Sequence, residues 1–376
     1  SIKLLFSENA GIVFQAKDDS VVDFFKKENV EIVRIGSVTT KSQLTIINGE
    51  KEIGLNVSAL RDTWYKTSYL LDKKQTANNL AENRFNNYKN QPLIYVFPKG
   101  FKGVIASSTR QSPGNKEITS SLESRYDRPK AAILREKGSN SEREMANAMY
   151  LAGFDVKDVH MTDLISGRET LEDIQFIGAV GGFSNSDVLG SAKGWAGAFK
   201  YNEKANKALK KFFARPDTVS VGICNGCKLF MELDLINPEH ETHGRMLHND
   251  SHKHESSFTS VIIEENNSVM LSNMSGTTLG VWISHGEGKF SLPHSESNYD
   301  IVAKYGYEGY PSNPNGSDFN TAMLCDKTGR HLVTMPHIER SIFPWNWAHY
   351  PANSNHKVSP WLEAFINARK WLEEHN

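Results

Sequence analysis

Cysteine is scarce in this sequence, with three among 376 residues. That excludes a disulfide framework and suits a reducing, cytoplasmic setting. No apolar run approaches the roughly 18–20 residues of a membrane-spanning helix. The opening SIKLLFSENAGIVF lacks a basic start followed by an apolar stretch, so no secretory signal is expected. Neither sign of charge dominates: 43 Lys plus Arg stand against 44 Asp plus Glu, for a formal charge of -1. General nucleic-acid and membrane-surface binders carry a basic excess, so neither nucleic acid nor membrane is an expected partner. No internal repeat recurs. What is present is 39% hydrophobic and 23% charged, enough for a packed core. The length accommodates two or three domains at roughly 100–200 residues each. The chain opens on Ser1 in what reads as the middle of a strand-rich domain, so it is expected to belong to something longer.

Three stretches differ in texture. Residues 1–73 read as a small α/β unit. It has strands at 11–15 (GIVFQ) and 31–35, and a helix over 19–28 from apolar residues at helical spacing. Two alternating runs at 43–55 flank Asn48-Gly49, a hairpin signal, and Ser58 reads as the cap of a helix through Leu71. Residues 74–129 are polar apart from LIYVF (93–97) and end in SSTRQSPGNKEITSS, which reads as a linker partly pinned onto a neighbouring domain. From Lys130 strands and helices alternate. Strands are expected at 130–136, 154–161, 174–180 and 218–223. Helices are expected at 141–153 (Ser141 and Glu144 as a capping box, Gly153 as the stop), 167–174, 196–214 and just after Cys224. Such alternation predicts an α/β fold with a doubly wound parallel sheet, whose ligands bind at the carboxyl ends of strands. Two Gly-containing loops, 181–185 and 222–226, fall at such ends.

The second loop carries the chemistry. VGICNGC (221–227) runs strand, Gly, x, Cys, x, Gly, helix, the nucleophile-elbow pattern with Cys in place of Ser. Gly222 and Gly226 are needed where a sharp strand-to-helix turn leaves no room for a Cβ. Cys224 then sits at a helix N-terminus whose dipole stabilises a thiolate, and the Asn225 N–H points at a developing oxyanion. Cys227, one turn on, is expected to face the core. A thiol nucleophile needs a base. Among 13 histidines, His337 stands out in VTMPHIER, just past a strand. Glu339, two residues on, can hold its tautomer and complete a Cys–His–Glu triad. Gly181-Gly182 offers a second oxyanion donor. The bland alternatives are a structural Cys in a tight turn, a loop histidine beside an unrelated acid, and a flexible glycine loop. Five histidines in 239–255 are irregularly spaced with no nearby Cys. A solvated loop near a polar pocket is expected there rather than a metal site.

GICNGC together with PHIER resembles the triad type of glutamine amidotransferase, class I. Residues 134–168, 181–197 (GGFSNSDVLGSAKGWAG), SHGEGKF (284–290) and YPSNPNGS (310–317) resemble the phosphoribosylformylglycinamidine synthase family of the large single-chain type. The likeness covers about 130–350, and LLFSENAGIVFQ (4–15) is similar to the last part of that family's synthetase half. The resemblance implies a flavodoxin-like glutaminase domain at 130–376, preceded by a fragment of the AIR synthase-like domain at 1–73 and a linker at 74–129. It implies Cys224 as nucleophile, His337 as base and Glu339 as its orienting acid. Gly182, Phe183, Asn225 and Gly226 would form the oxyanion hole and substrate rim. L-glutamine is then the substrate, with no cofactor or metal in this chain. ATP and Mg²⁺ would act on formylglycinamide ribonucleotide at the synthetase part, making the whole a carbon–nitrogen ligase of purine biosynthesis. Three positions depart from the family: Asn185 and Ser186 stand for Tyr and Gly of GGFSYGD, and Lys193 for an acid. Asn249, Ser251 and Glu255 fit a further family stretch loosely, with Glu255 expected to touch glutamine and residues 285–288 expected near the pocket. Two other readings stay open, an amidotransferase domain serving a different acceptor and a catalytically silent docking domain.

Overall fold

The computed structural model describes residues 11–88, 94–104, 128–352 and 354–375. Residues 1–10, with most of the motif at 4–15, and the polar stretch 107–121 lie outside the described residues. The chain divides into two compact units, Ser1–Asp72 and Lys73–Asn376.

The first unit holds helix α1 (Ser20–Lys27), strands β1 (Gln43–Asn48) and β2 (Lys51–Asn56), and the start of α2 (Val57–Gln75). Asn48 pairs with Lys51, so the hairpin loop is Gly49-Glu50, one residue beyond the expected pair, with Gly49 at φ +61. Asn56, not Ser58, caps α2: its Oδ1 accepts the Ala59 N–H at 2.9 Å. The strands expected at 11–15 and 31–35 are not formed. Ile12, Val13, Val33 and Ile35 are exposed, and β-propensity makes no strand without an edge to pair and a face to pack.

The second unit is built on a nine-stranded sheet. Its strands are β3 (Lys130–Arg135), β4 (Asp155–His160), β5 (Phe176–Ala179), β6 (Val219–Ile223), β8 (Glu255–Ile263), β9 (Thr278–His285), β11 (Asp300–Tyr305), β12 (Thr321–Cys325) and β13 (His331–Thr334), while β7 (Arg245–Leu247) and β10 (Lys289–Ser291) form a separate pair. The order is β4-β3-β5-β6-β13-β12-β11-β8-β9. The first five strands are parallel, in the flavodoxin-like order 2-1-3-4-5. The other four continue the sheet antiparallel. β3 reads KAAILR because both its faces are covered, and residues 131–134 are buried.

Helices cover the sheet where their apolar stripes allow. In α4 (Glu142–Ala152), Met145, Ala148, Met149 and Ala152 are buried at helical spacing, and Gly153 at φ +103 ends the helix. The expected capping box is absent. Ser141 takes left-handed backbone (φ +68) and makes no cap bond, and Glu144 instead faces Arg340 at 3.6 Å. The helix expected at 167–174 is irregular. A short helix, α5 (Met161–Ser166), forms earlier and stops at left-handed Gly167, after which the Glu169 carboxylate accepts the N–H groups of Thr170 and Leu171 at 2.9 and 2.8 Å. The long helix is two, α6 (Lys193–Tyr201) and α7 (Glu203–Ala214). Asn202 is extended between them and caps the second through Oδ1. Helices α8 (Asn225–Glu232) and α9 (Trp361–Glu374) follow β6 and β13. Within 74–104, α3 (Leu80–Asn87) forms, Val96 bridges Thr278, and Phe97 packs on Trp347 and Tyr350. This patch is thus part of the second unit.

Candidate active site

Three loops converge at the carboxyl ends of β5, β6 and β13. After β6 the chain turns sharply. A Cβ on Gly222 would lie 2.6 Å from the Gly226 carbonyl oxygen, and one on Gly226 would lie 2.1 Å from that of Ala179. Neither position accepts a side chain. The turn throws Cys224 into φ +53, ψ -104, a strained conformation for a non-glycine residue. The Cys224 N–H donates to Thr334 O at 2.8 Å, which ties the elbow to β13. The first N–H groups of a helix have no intrahelical partner, so α8 presents that of Asn225 beside the sulfur.

His337 follows β13 and is fixed by its own N–H to Trp282 O at 2.8 Å. Its Nδ1–H donates to Glu339 Oε1 at 2.7 Å, and both residues are buried. The carboxylate thus fixes the tautomer that leaves Nε2 for the sulfur, whose own hydrogen bond runs to the Ser284 carbonyl oxygen at 3.6 Å. The electrostatics favour an ion pair. Burial by itself would push the Cys224 thiol up, but the imidazolium of His337, by charge and hydrogen bond, and the charge of Lys228 bring it below the ordinary value. Burial opposes charge on His337 too, yet Glu339 and Cys224 raise it to about 10. Burial also works against Glu339, whose carboxyl is held low by His337 and by the nearby charge of Arg340. Cys227 faces the core as expected, and burial pushes its thiol up.

Cys224 and His337 open onto a cavity of about 370 Å³, within the usual range for small-molecule sites. Gly182 lines it at φ +110, where a Cβ would strike Asn140 N at 2.6 Å. Phe183 lines it with its ring, but its N–H donates to Gly138 O at 2.9 Å, so only Gly182 can supply an oxyanion donor from this loop. Asn225 and Gly226 lie behind the wall. The Asn225 side chain accepts from Ser184 Oγ at 2.6 Å, and Gly226 serves the close packing of α8 on β5. Of the departing positions, Asn185, Ser186 and the adjacent Asp187 all have left-handed backbone (φ 50–56). A glycine at 186 would suit that geometry.

Other expectations divide. Residues 284–287 line the cavity. Glu255 does not, contrary to expectation: its carboxylate is engaged by Arg84 at 2.6 Å and the Tyr310 hydroxyl at 3.1 Å. Asn249 braces the pocket from outside through His285 O at 2.7 Å and the Gly288 N–H at 2.9 Å. Of the histidine-rich segment, His248, His252 and His254 line the cavity. Sequence reasoning missed Lys228 and Ser191 as lining residues. The spacing of Lys228, four residues past Cys224 on a helix, was the available signal.

A cysteine elbow facing a polar cavity, on a flavodoxin-ordered sheet, is the architecture of the site. The PurLQS structure from Thermotoga maritima shares the fold, with a TM-score of 0.50 and 22% identity over 65% of this chain and 99% of that one. Residues 128–372 match the CobB/CobQ-like glutamine amidotransferase domain, and the chain belongs to that family. It is similar to the probable phosphoribosylformylglycinamidine synthase, chloroplastic/mitochondrial, of Arabidopsis thaliana, at 37% identity over 98% of this chain and 27% of that protein. It is also similar to phosphoribosylformylglycinamidine synthase of Homo sapiens, at 35% identity over 99% of this chain and 29% of that protein. The chain therefore spans under a third of the length of these relatives.

Proposed function

We propose that this chain is the glutaminase portion of a phosphoribosylformylglycinamidine synthase, a carbon–nitrogen ligase of purine biosynthesis. The observation that carries the reading is the pair Cys224 and His337 on the wall of the cavity, with Glu339 buried behind and hydrogen-bonded to His337. The Cys224 thiolate attacks the side-chain carbonyl carbon of L-glutamine. The resulting oxyanion is met by the N–H groups of Gly182 and Asn225. The C–N bond breaks as His337 gives its proton to the leaving ammonia, and a glutamyl thioester remains. Water then attacks the thioester, His337 takes its proton, and glutamate leaves with the thiolate restored.

The ammonia is consumed at the synthetase portion, where ATP and Mg²⁺ activate formylglycinamide ribonucleotide. Among the described residues no group of three or more His, Cys, Asp or Glu side chains could hold a metal ion. We place the protein in the cytoplasm on its free, buried cysteines, although the Arabidopsis relative is named chloroplastic/mitochondrial. Among the described residues no helix is long and apolar enough to cross a membrane.

Labelling with a diazo-ketone analogue of glutamine tests the reading. Stoichiometric modification at Cys224, blocked by glutamine, is expected. A folded protein that resists labelling would favour the silent docking domain.

A further inference from the structure

The loop before β8 forms one wall of the cavity, which His252, Lys253 and His254 line. That loop is held by residues 77–87, none of which lines the cavity. The Ala77 N–H donates to Ser251 O at 3.1 Å, and Asn78 Nδ2 donates to Asp250 O at 2.8 Å. One turn into α3, Arg84 donates to Glu255 Oε2 at 2.6 Å. Its guanidinium lies 4.7 Å from the ring centroid of Tyr310, whose hydroxyl donates to Glu255 Oε1 at 3.1 Å. Glu255 is buried, so this is a short, charge-assisted contact shielded from water. Successive side chains of an extended chain point to opposite sides. Glu255 turns to α3, and His254, the residue before it, turns to the cavity. There the His254 ring stands 6.0 Å from the ring of Phe183, centroid to centroid, and its Nε2 shares a hydrogen bond with Ser284 Oγ at 3.0 Å. The carbonyl oxygen of Ser284 accepts from the Cys224 sulfur at 3.6 Å. A line of contacts thus runs from α3 through Glu255 and His254 to the nucleophile.

We propose that Arg84 is a positioning residue for the substrate. By clamping Glu255 it holds His254 opposite Phe183 and fixes that wall of the cavity, so glutamine affinity depends on α3 staying docked. The amidotransferase domain match begins at residue 128, and α3 lies before it. The pocket is therefore completed by a side chain from outside that domain. By thermodynamic reciprocity, glutamine in the cavity also holds α3 in place. This inference rests on the glutaminase reading and adds to it a determinant of the pocket that the elbow and its histidine do not contain.

The test uses the full chain and measures the concentration of L-glutamine that halves labelling of Cys224 by a diazo-ketone analogue. Arg84→Gln should raise it at least ~5-fold, the lower end of ordinary coupling between sites. Arg84→Lys should recover part of the loss. Glu255→Gln and the double variant should each raise it by a similar factor, because the two side chains act through one contact. Alkylation by iodoacetamide, which needs no formed glutamine pocket, should change far less. A second measurement leaves the clamp intact: in Cys224→Ala, saturating glutamine should slow amide hydrogen exchange in α3 at least ~5-fold, by the same reciprocity. Unchanged protection in Arg84→Gln, additive losses in the double variant, or exchange in α3 that ignores glutamine would each overturn the inference and leave the glutaminase reading intact. So would an equal loss of iodoacetamide reactivity, because α3 would then support the elbow itself rather than the substrate wall. Absence of glutamine-protected labelling in wild type would overturn the glutaminase reading and this inference with it.

Discussion

His337 Nδ1 and Glu339 Oε1 stand 2.7 Å apart, both out of solvent and two residues apart in one short turn after β13. The contact determines which imidazole nitrogen is left for Cys224, and it stabilises the charged ring in a buried setting. Glu339→Gln keeps the shape and removes the charge. Glutamine hydrolysis should fall by about 10²-fold, the scale of lost acid–base assistance. The basic limb of the pH–rate profile should move to lower pH, because without the neighbouring carboxylate charge His337 gives up its proton more readily. Steady-state rates across pH read both effects, and unchanged turnover would remove Glu339 from the mechanism.

Cys224→Ala should abolish glutamine-dependent synthesis while sparing synthesis from added ammonia in the intact enzyme. Parallel assays with the two nitrogen donors check this. Loss of both activities would contradict a division of labour between two sites.

Gly226→Ala should destabilise the second unit by about 3 kcal/mol, the upper end of the usual overpacking penalty. The new methyl would meet the backbone of Ala179 rather than a side chain that could swing aside. Chemical denaturation measures the loss, and an unchanged midpoint would mean the elbow has slack.

Ser186→Gly should stabilise the protein by about 1 kcal/mol, since it relieves one left-handed residue. The same denaturation experiment reads it. A destabilised variant would show that the hydroxyl matters more than the backbone strain.

The elbow is legible in the sequence because the requirement for two glycines around a cysteine is local. So are the strands of the parallel half, since a strand buried on both faces is apolar at nearly every position, as at 131–134. The break at Asn202 is hidden, because the apolar stripe continues across it and only the asparagine cap marks the interruption. The strands expected at 11–15 and 31–35 fail for the opposite reason, since their residues favour extension but among the described residues no strand pairs with them. In the antiparallel half β12 and β13 form a short-range pair, with Cys325 opposite Leu332, whereas β11 reaches back to β8, with Ala303 opposite Ile263. Lys228 escapes the motif because the elbow pattern ends at Gly226, although one helical turn from the nucleophile leads straight to it.

The most direct test of the central claim is the rate of Cys224 alkylation by iodoacetamide as a function of pH, in wild type and in His337→Ala. The thiolate is the reactive form, and its share falls as pH drops through the thiol's own value. Burial raises that value, while His337 and Lys228 together bring it below the ordinary 9.0. The wild-type curve should therefore lie at lower pH than that of an ordinary thiol, and His337→Ala should shift it to higher pH. Coincident curves centred near the ordinary thiol value would show that no imidazolium stands beside the sulfur.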